Sequence, residues 1–298
     1  MQWMIQRRYK QWIASVLVVL LAFSLWPAFV AADAITGETV VTLGEDLSEA
    51  QQNQLLDEMG VDEEVPILYV SNEEEHQYLG DYIDASIIGD RAISSTRIVI
   101  SEEGSGIKVE TNNITWVTEE MYANALATAG VKDADVYVTA PFEVSGTAGL
   151  TGLTKAFEEA ADTEISEEQK QVANEEMVRT AELAENIGAA EAAELMRRLK
   201  EQLDNRTLET DEDFRQLVLD VAAELNIELT DEDVDALVHL LKRLKGLNID
   251  WGQVSDQLQN IRDNLNDILD SEDTRNFIRK ALDYLISLFD RIKELFAS

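Results

Sequence analysis

The stretch Ala140-Pro141-Phe142-Glu143-Val144-Ser145-Gly146-Thr147-Ala148-Gly149-Leu150-Thr151-Gly152 holds the residues whose types and spacing come closest to chemistry. A glycine-rich passage from a predicted strand into a predicted helix can offer backbone amides to an anion or aim a hydroxyl outward. Ser145, Gly146, Thr147 and Thr151 are therefore candidate ligand-binding residues. The passage is neither a GxxxxGK[ST] phosphate loop nor a GxSxG elbow, no histidine stands nearby as a base, and the Ser-x-x-Lys arrangement is missing. The plain structural alternative is that small residues let the helix pack closely on the sheet while a hydroxyl caps it. Asp90 and Arg91 are the charged candidates: convergence of Ser145, Asp90 or Glu143 with Arg91 in one cleft would favour catalysis, and wide separation would disfavour it.

Other chemistry is sparse. The chain has no cysteine, which removes thiol nucleophiles, disulfides and cysteine metal sites, and its two histidines cannot make a histidine-rich zinc site. Glu73 and His76 share a helix face at ligand spacing, but one pair is not a site, and Glu73-Glu74-Glu75-His76 reads as a solvated acidic face. His239 lies among Leu237, Val238, Leu240 and Leu241 and reads as a boundary or packing residue. Asp231, Asp233 and Asp235 have the one-three-five spacing of an EF-hand loop. However, Ala236 stands where that loop needs glycine and Lys242 where it needs glutamate. Helix capping explains these carboxylates better. Catalytic residues stay unknown, no metal site and no cofactor are expected, and the carboxylate-rich surface admits only weak binding of divalent cations.

Two kinds of element must position these residues. From Ile35 to about Ala160 apolar strands alternate with capped helices. Strands are predicted at Thr39 to Leu43, Val65 to Val70, Ala92 to Ile100, Ile107 to Trp116 and Asp135 to Ala140, the third and fourth joined as a hairpin through Gly104 and Gly106, the fifth stopped by Pro141. Helices follow Ser48, Asn72 and Thr118, and another runs from Leu150 to Ala160. After Ala161 strand signals vanish. Apolar stripes at helical spacing predict helices over Ser166 to Asn186, Ala189 to Asp204, Asp211 to Leu225, Asp231 to Lys245, Trp251 to Leu269 and Asp273 to Phe296. The last, with Leu282, Leu285, Phe289 and Ile292 on its apolar face, is expected to close the bundle, or else to lie on a membrane surface or grip a partner helix. The fold class is thus α+β or α/β: a mixed-sheet domain with covering helices at 35–162, then an all-α helical region at 163–298.

Residues 1–34 read as an export leader. Arg7, Arg8 and Lys10 form a basic head, Ile13 to Trp26 an uncharged apolar run, and Ala32-Asp33-Ala34 a small-residue exit, so cleavage is expected after Ala34, or alternatively after Ala32. The other reading is an uncleaved N-terminal membrane anchor. The chain carries 24 basic and 59 acidic residues, a formal charge of −35. Such acidity repels nucleic acid and anionic polymers and favours cationic or basic partners, or else it reflects a saline or alkaline habitat. The expected partner is a protein or cell-surface ligand, without nucleic acid and without a stable membrane span once the leader is cut.

Thr42-Leu43-Gly44-Glu45-Asp46-Leu47, Ile88-Gly89-Asp90-Arg91-Ala92-Ile93-Ser94-Ser95 and Pro141 to Gly152 resemble segments of the YpuA-like secreted proteins of Gram-positive bacteria, a family catalogued as domain of unknown function one thousand and two. The resemblance implies an extracytoplasmic protein and brings no catalytic residues. Two functions remain: a non-catalytic envelope or extracellular binding module, or an extracellular hydrolase of cell-wall material or peptides.

Overall fold

Val40 and Val41 are both fully buried in the strand Thr39–Gly44 (β1). Successive strand side chains point to opposite faces, so this sheet must be covered on both. The computed structural model describes residues 36–62 and 64–270. Its strands β1, Ile67–Val70 (β2), Ser95–Ile100 (β3), Ile107–Ile114 (β4) and Ala134–Val144 (β5) form one mixed sheet in the order β2-β1-β3-β5-β4. The fold is α+β.

The expected hairpin between β3 and β4 does not form. β5 lies between them, antiparallel to β3 and parallel to β4. Burial explains the insertion: β4 exposes Lys108, Glu110 and Asn112 at alternate positions and suits an edge, whereas β5 buries Val136, Val138, Thr139 and Ala140 and needs neighbours on both sides. β5 also runs through Pro141 to Val144 instead of stopping at Ala140. β3 pairs with it only as far as Thr139, and the register with β4 shifts between Asn112 and Ile114, where Asn113 has a φ of 60°. Pro141 therefore sits where the ladder asks nothing of its missing N–H.

One face of the sheet is covered by the helix Glu49–Met59 (α1), whose Leu55 and Met59 pack with Val41, Leu43, Ile93 and Ala140. Ser48 and Gln51 form its capping box and Gly60 its left-handed stop, as their spacing predicts. Two shorter helices follow, Asn72–Leu79 (α2) and Ala85–Ile88 (α3). Helices Glu119–Thr128 (α4) and Thr147–Ala160 (α5) cover the other face, over Val40, Ile98, Val136 and Val138.

α5 begins three residues earlier than predicted and has no side-chain cap. Its N-cap is Gly146, at φ 95°, so the expected hydroxyl cap is absent. Close packing, the other half of that expectation, is present. A methyl group added at Gly149 would come within 2.5 Å of Tyr122 Oη, and one at Gly152 within 2.5 Å of Thr42 Oγ1. Gly152→Ala is accordingly expected to destabilise the fold by about 1–3 kcal/mol, whereas Gly246→Ala, with nothing within 4 Å, should not. Thermal melts of the two variants check this, and equal melting temperatures would refute the close approach.

The remaining helices are Glu167–Ile187 (α6), Ala189–Asn205 (α7), Asp211–Glu224 (α8), Asp231–Gly246 (α9) and Trp251–Asp270 (α10). Thr210 with Asp213 and Thr230 with Asp233 form capping boxes, so the carboxylates of Asp213 and Asp233 satisfy backbone amides at the helix starts. Leu195, Leu199, Leu217, Leu237 and Leu241 build a core among α7, α8 and α9. The anticipated division after residue 162 falls in the turn between α5 and α6. The sheet's own apolar cluster continues across it through Met177 and Ala181 of α6 to Val254 and Leu258 of α10, and the described residues all belong to one compact unit. The expected leader, with its cut at Ala34 or Ala32, and the expected helix Asp273 to Phe296 lie outside the described residues. Among the described residues no helix is long and apolar enough to cross a membrane.

Candidate functional site

α2 opens with a capping box in which Ser71 Oγ accepts from the Glu74 amide and Glu74 accepts from the Ser71 amide. Glu74 also pairs with Lys155 of α5 at 2.7 Å. The next residue, Glu75, turns about a hundred degrees further round the helix and shares its inward face with Leu79. It is 1% exposed. A carboxyl group thus occupies a core position of a short helix, and the acidic run is not uniformly solvated as the sequence implied. The missed signal was the four-residue step from Glu75 to Leu79, which marks one face.

The turn after α3 is held against α2 through its backbone. His76 Nε2 donates to Gly89 O at 3.1 Å, so that imidazole supports a loop. The Ala92 amide donates to Asp46 Oδ2 at 2.8 Å. From the other side β5 delivers Ser145, whose carbonyl accepts from the Trp116 and Val117 amides. Gly146 follows, its carbonyl accepting from the buried Tyr122 hydroxyl. Thr147 Oγ1 then donates to Glu75 Oε2 at 3.0 Å, and Ser145 Oγ lies 3.3 Å from Thr147 Oγ1.

These segments enclose a cavity of about 140 Å³. Five of the six residues singled out in the sequence line it: Asp90, Arg91, Ser145, Gly146 and Thr147. Glu75 joins them, with Ile88, Ile93, Phe142 and Val144 as apolar wall. Asp90 and Arg91 stand at the open rim, 4.0 Å apart and largely exposed. Thr151 is not part of the lining; it lies one turn further along α5 and is 3% exposed. Glu143 does not line it either. Two of the three segments that carry the family resemblance, Ile88 to Ser95 and Pro141 to Gly152, therefore meet around one carboxyl group that neither contains.

That carboxyl group is unusual in its electrostatics. Burial pushes Glu75 up to about 7 from the ordinary 4.5. Hydrogen bonds from Thr147 and Asn72 pull the other way, and the nearby Asp46 charge adds to the rise. Its Oε1 is buried without a hydrogen-bond partner in the protein. Burial likewise raises Tyr122, helped by Glu75. The cavity therefore offers a carboxyl able to exchange a proton near neutrality, a chain of two hydroxyls leading to it, and one unsatisfied oxygen. Among the described residues no group of three or more His, Cys, Asp or Glu could hold a metal ion.

Two further polar clusters lie outside the cavity. Glu175 of α6 receives Arg243 and, at 3.2 Å, His239 Nδ1, so His239 serves a buried carboxylate from an exposed position. Glu176 and Lys200 form an ion pair at 2.7 Å that is essentially sealed from solvent.

All residues lining the cavity fall inside residues 43–261, which match the family described as Protein of unknown function (DUF1002). The chain belongs to the DUF1002 family. Within it, the chain is similar to the Uncharacterized protein YpuA of Bacillus subtilis (strain 168), 48% identical over 288 residues that span 96% of this chain and 99% of the relative. No solved structure matches. The match at 43–261 takes in the end of β1, all of β2 to β5 and α1 to α9, so the DUF1002 region includes parts of both halves of the predicted division.

Proposed function

We propose that this DUF1002 chain is an exported envelope or extracellular protein that recognises a protein or cell-surface ligand, without catalysis, through the Glu75–Ser145–Thr147 cavity. One observation carries the reading: residues from α2, the turn after α3 and the β5–α5 junction converge on a buried carboxyl group with an unpaired oxygen. Export is supported by the order of basic head, apolar run and small-residue exit in residues 1–34. At about 140 Å³ the cavity is smaller than the roughly 300–1,000 Å³ of drug-sized pockets. It suits the end group of a larger molecule.

The extracellular hydrolase is the second reading, and one finding favours it: Ser145, Asp90 and Arg91 do share a cleft with a proton-exchanging carboxyl group. Against it, Thr147 stands between Glu75 and Ser145, and neither a histidine nor a second buried carboxylate lines the cleft. Retention on isolated cell envelopes tests the choice. The protein purified from a host expressing the whole gene should be retained stoichiometrically, and Ser145→Trp, which fills the cavity, should lower retention at least about tenfold with an unchanged melt. Equal retention would remove the cavity from the function. Turnover of envelope material that Ser145→Ala or Glu75→Gln abolishes in a folded protein would establish the hydrolase instead.

A further inference from the structure

What the cavity can bond is set by where its protons already point. With Glu75 ionised, Thr147 spends its only hydroxyl proton on Glu75 Oε2, so it can only accept from Ser145, 3.3 Å away. The Ser145 proton is thereby spent as well. What remains is acceptors: the lone pairs of Ser145 Oγ and the partnerless Glu75 Oε1. A ligand must supply donors.

Charge points the same way. Asp46 lies close enough to Glu75 to disfavour its ionisation, and Asp90 stands at the rim beside Arg91, which it offsets at 4.0 Å. The other polar neighbours are spent, since Lys155 pairs with Glu74 and His76 is turned to Gly89 O. Tyr122, on α4, is neutral and donates to Gly146 O. An ionised Glu75 thus leaves the cavity with net negative charge, opposed only by the first turn of α5. The walls beside it, Ile88, Ile93, Val144 and the partly exposed Phe142, are hydrocarbon.

We propose that the cavity binds a primary alkylammonium group, its N–H donors on Glu75 Oε1 and Ser145 Oγ and its methylenes against Ile88, Ile93 and Phe142. The inference rests on the binding-site reading above and names its ligand chemistry. A lysine-type side chain of a peptide and a free alkylamine share that chemistry. Binding displaces the Glu75 proton, so affinity rises with pH to about 7 and then levels off.

Isothermal titration of the purified protein tests it, with n-butylammonium and Nα-acetyl-lysine N-methylamide as cationic probes and butyrate and inorganic phosphate as anionic ones. At least one amine should bind, about tenfold more weakly for each pH unit below the Glu75 transition, with proton release. Binding of butylammonium alone assigns a free amine, and binding of both admits the peptide side chain. Glu75→Gln should weaken binding more than about tenfold and flatten the pH profile, and Ser145→Ala should weaken it several-fold if Glu75→Gln fails to fold. Anion binding without amine binding, an amine affinity that falls with rising pH, or unchanged binding by a folded Glu75→Gln overturns the proposal. If no probe binds but Ser145→Trp still abolishes envelope retention, the ammonium assignment falls and the cavity reading stands. If neither effect appears, both fall.

Discussion

Lys200→Met is expected to destabilise the protein by about 3–5 kcal/mol, because it leaves the Glu176 charge buried without its counter-ion. Glu176 is 1% exposed and the Lys200 side chain not at all. Lys200 Nζ donates to Glu176 Oε1 at 2.7 Å, to Asn124 O at 2.6 Å and to Thr128 Oγ1 at 3.1 Å, and Thr128 donates in turn to the second oxygen of Glu176. Every strong bond of the ammonium is thus made inside the protein, between α4, α6 and α7. Burial drives Glu176 up and Lys200 down, each toward its neutral form, and their mutual attraction opposes both shifts. For a chain of this size such a loss corresponds to a fall in melting temperature of roughly ten degrees. The double variant Glu176→Leu with Lys200→Met should recover most of it, since hydrophobic residues of similar volume replace buried pairs at little cost. A single variant that melts within a degree or two of the wild type would show that water reaches the pair.

Glu75→Gln should change how stability depends on pH. The folded protein holds the Glu75 proton up to about 7, while the unfolded chain releases it near 4.5. Between those values the native state binds more protons than the unfolded state, so stability falls as pH rises. The contribution is fully present below pH 4.5 and is lost as pH climbs through about 7, a change of roughly 3 kcal/mol. Wild-type melts alone do not isolate it. Glu119 is raised by burial in the same sense, whereas Glu74, beside Lys155, and Glu194, between Arg197 and Arg198, are lowered and act oppositely. The difference between wild type and Glu75→Gln removes these common contributions. The variant should gain on the wild type across this range, and a constant difference would mean that Glu75 is solvated and titrates normally.

Much of the candidate site was legible because it depends on local chemistry. Gly146 and Thr147 were marked by their place between a strand and a helix, whereas Asp90 and Arg91 entered only as charged groups whose convergence with Ser145 would favour catalysis. Thr151 was marked by the same logic and proved buried, because a helix starting at Thr147 carries position 151 past the cavity. Glu75 was misread as solvated. Its own sequence neighbours are all polar, and the β5–α5 junction together with the turn after α3, packed against α2, removes it from water.

The division in the fold is of the same kind. The capping boxes at Ser48, Thr210 and Thr230 and the left-handed stop at Gly60 follow from residues within a few positions of one another, so sequence alone located the helix ends. The same holds for the α+β class, since strand and helix periodicities are local properties. Pairing is not local. β3 and β4 are joined by a short glycine turn and still do not pair, because β5, which buries Val136, Val138, Thr139 and Ala140, is stabilised more by a central place than by an edge. Tertiary structure alone decided that insertion and the carboxyl group left dry beneath Thr147, for a buried charge is defined by what packs over it from elsewhere in the chain.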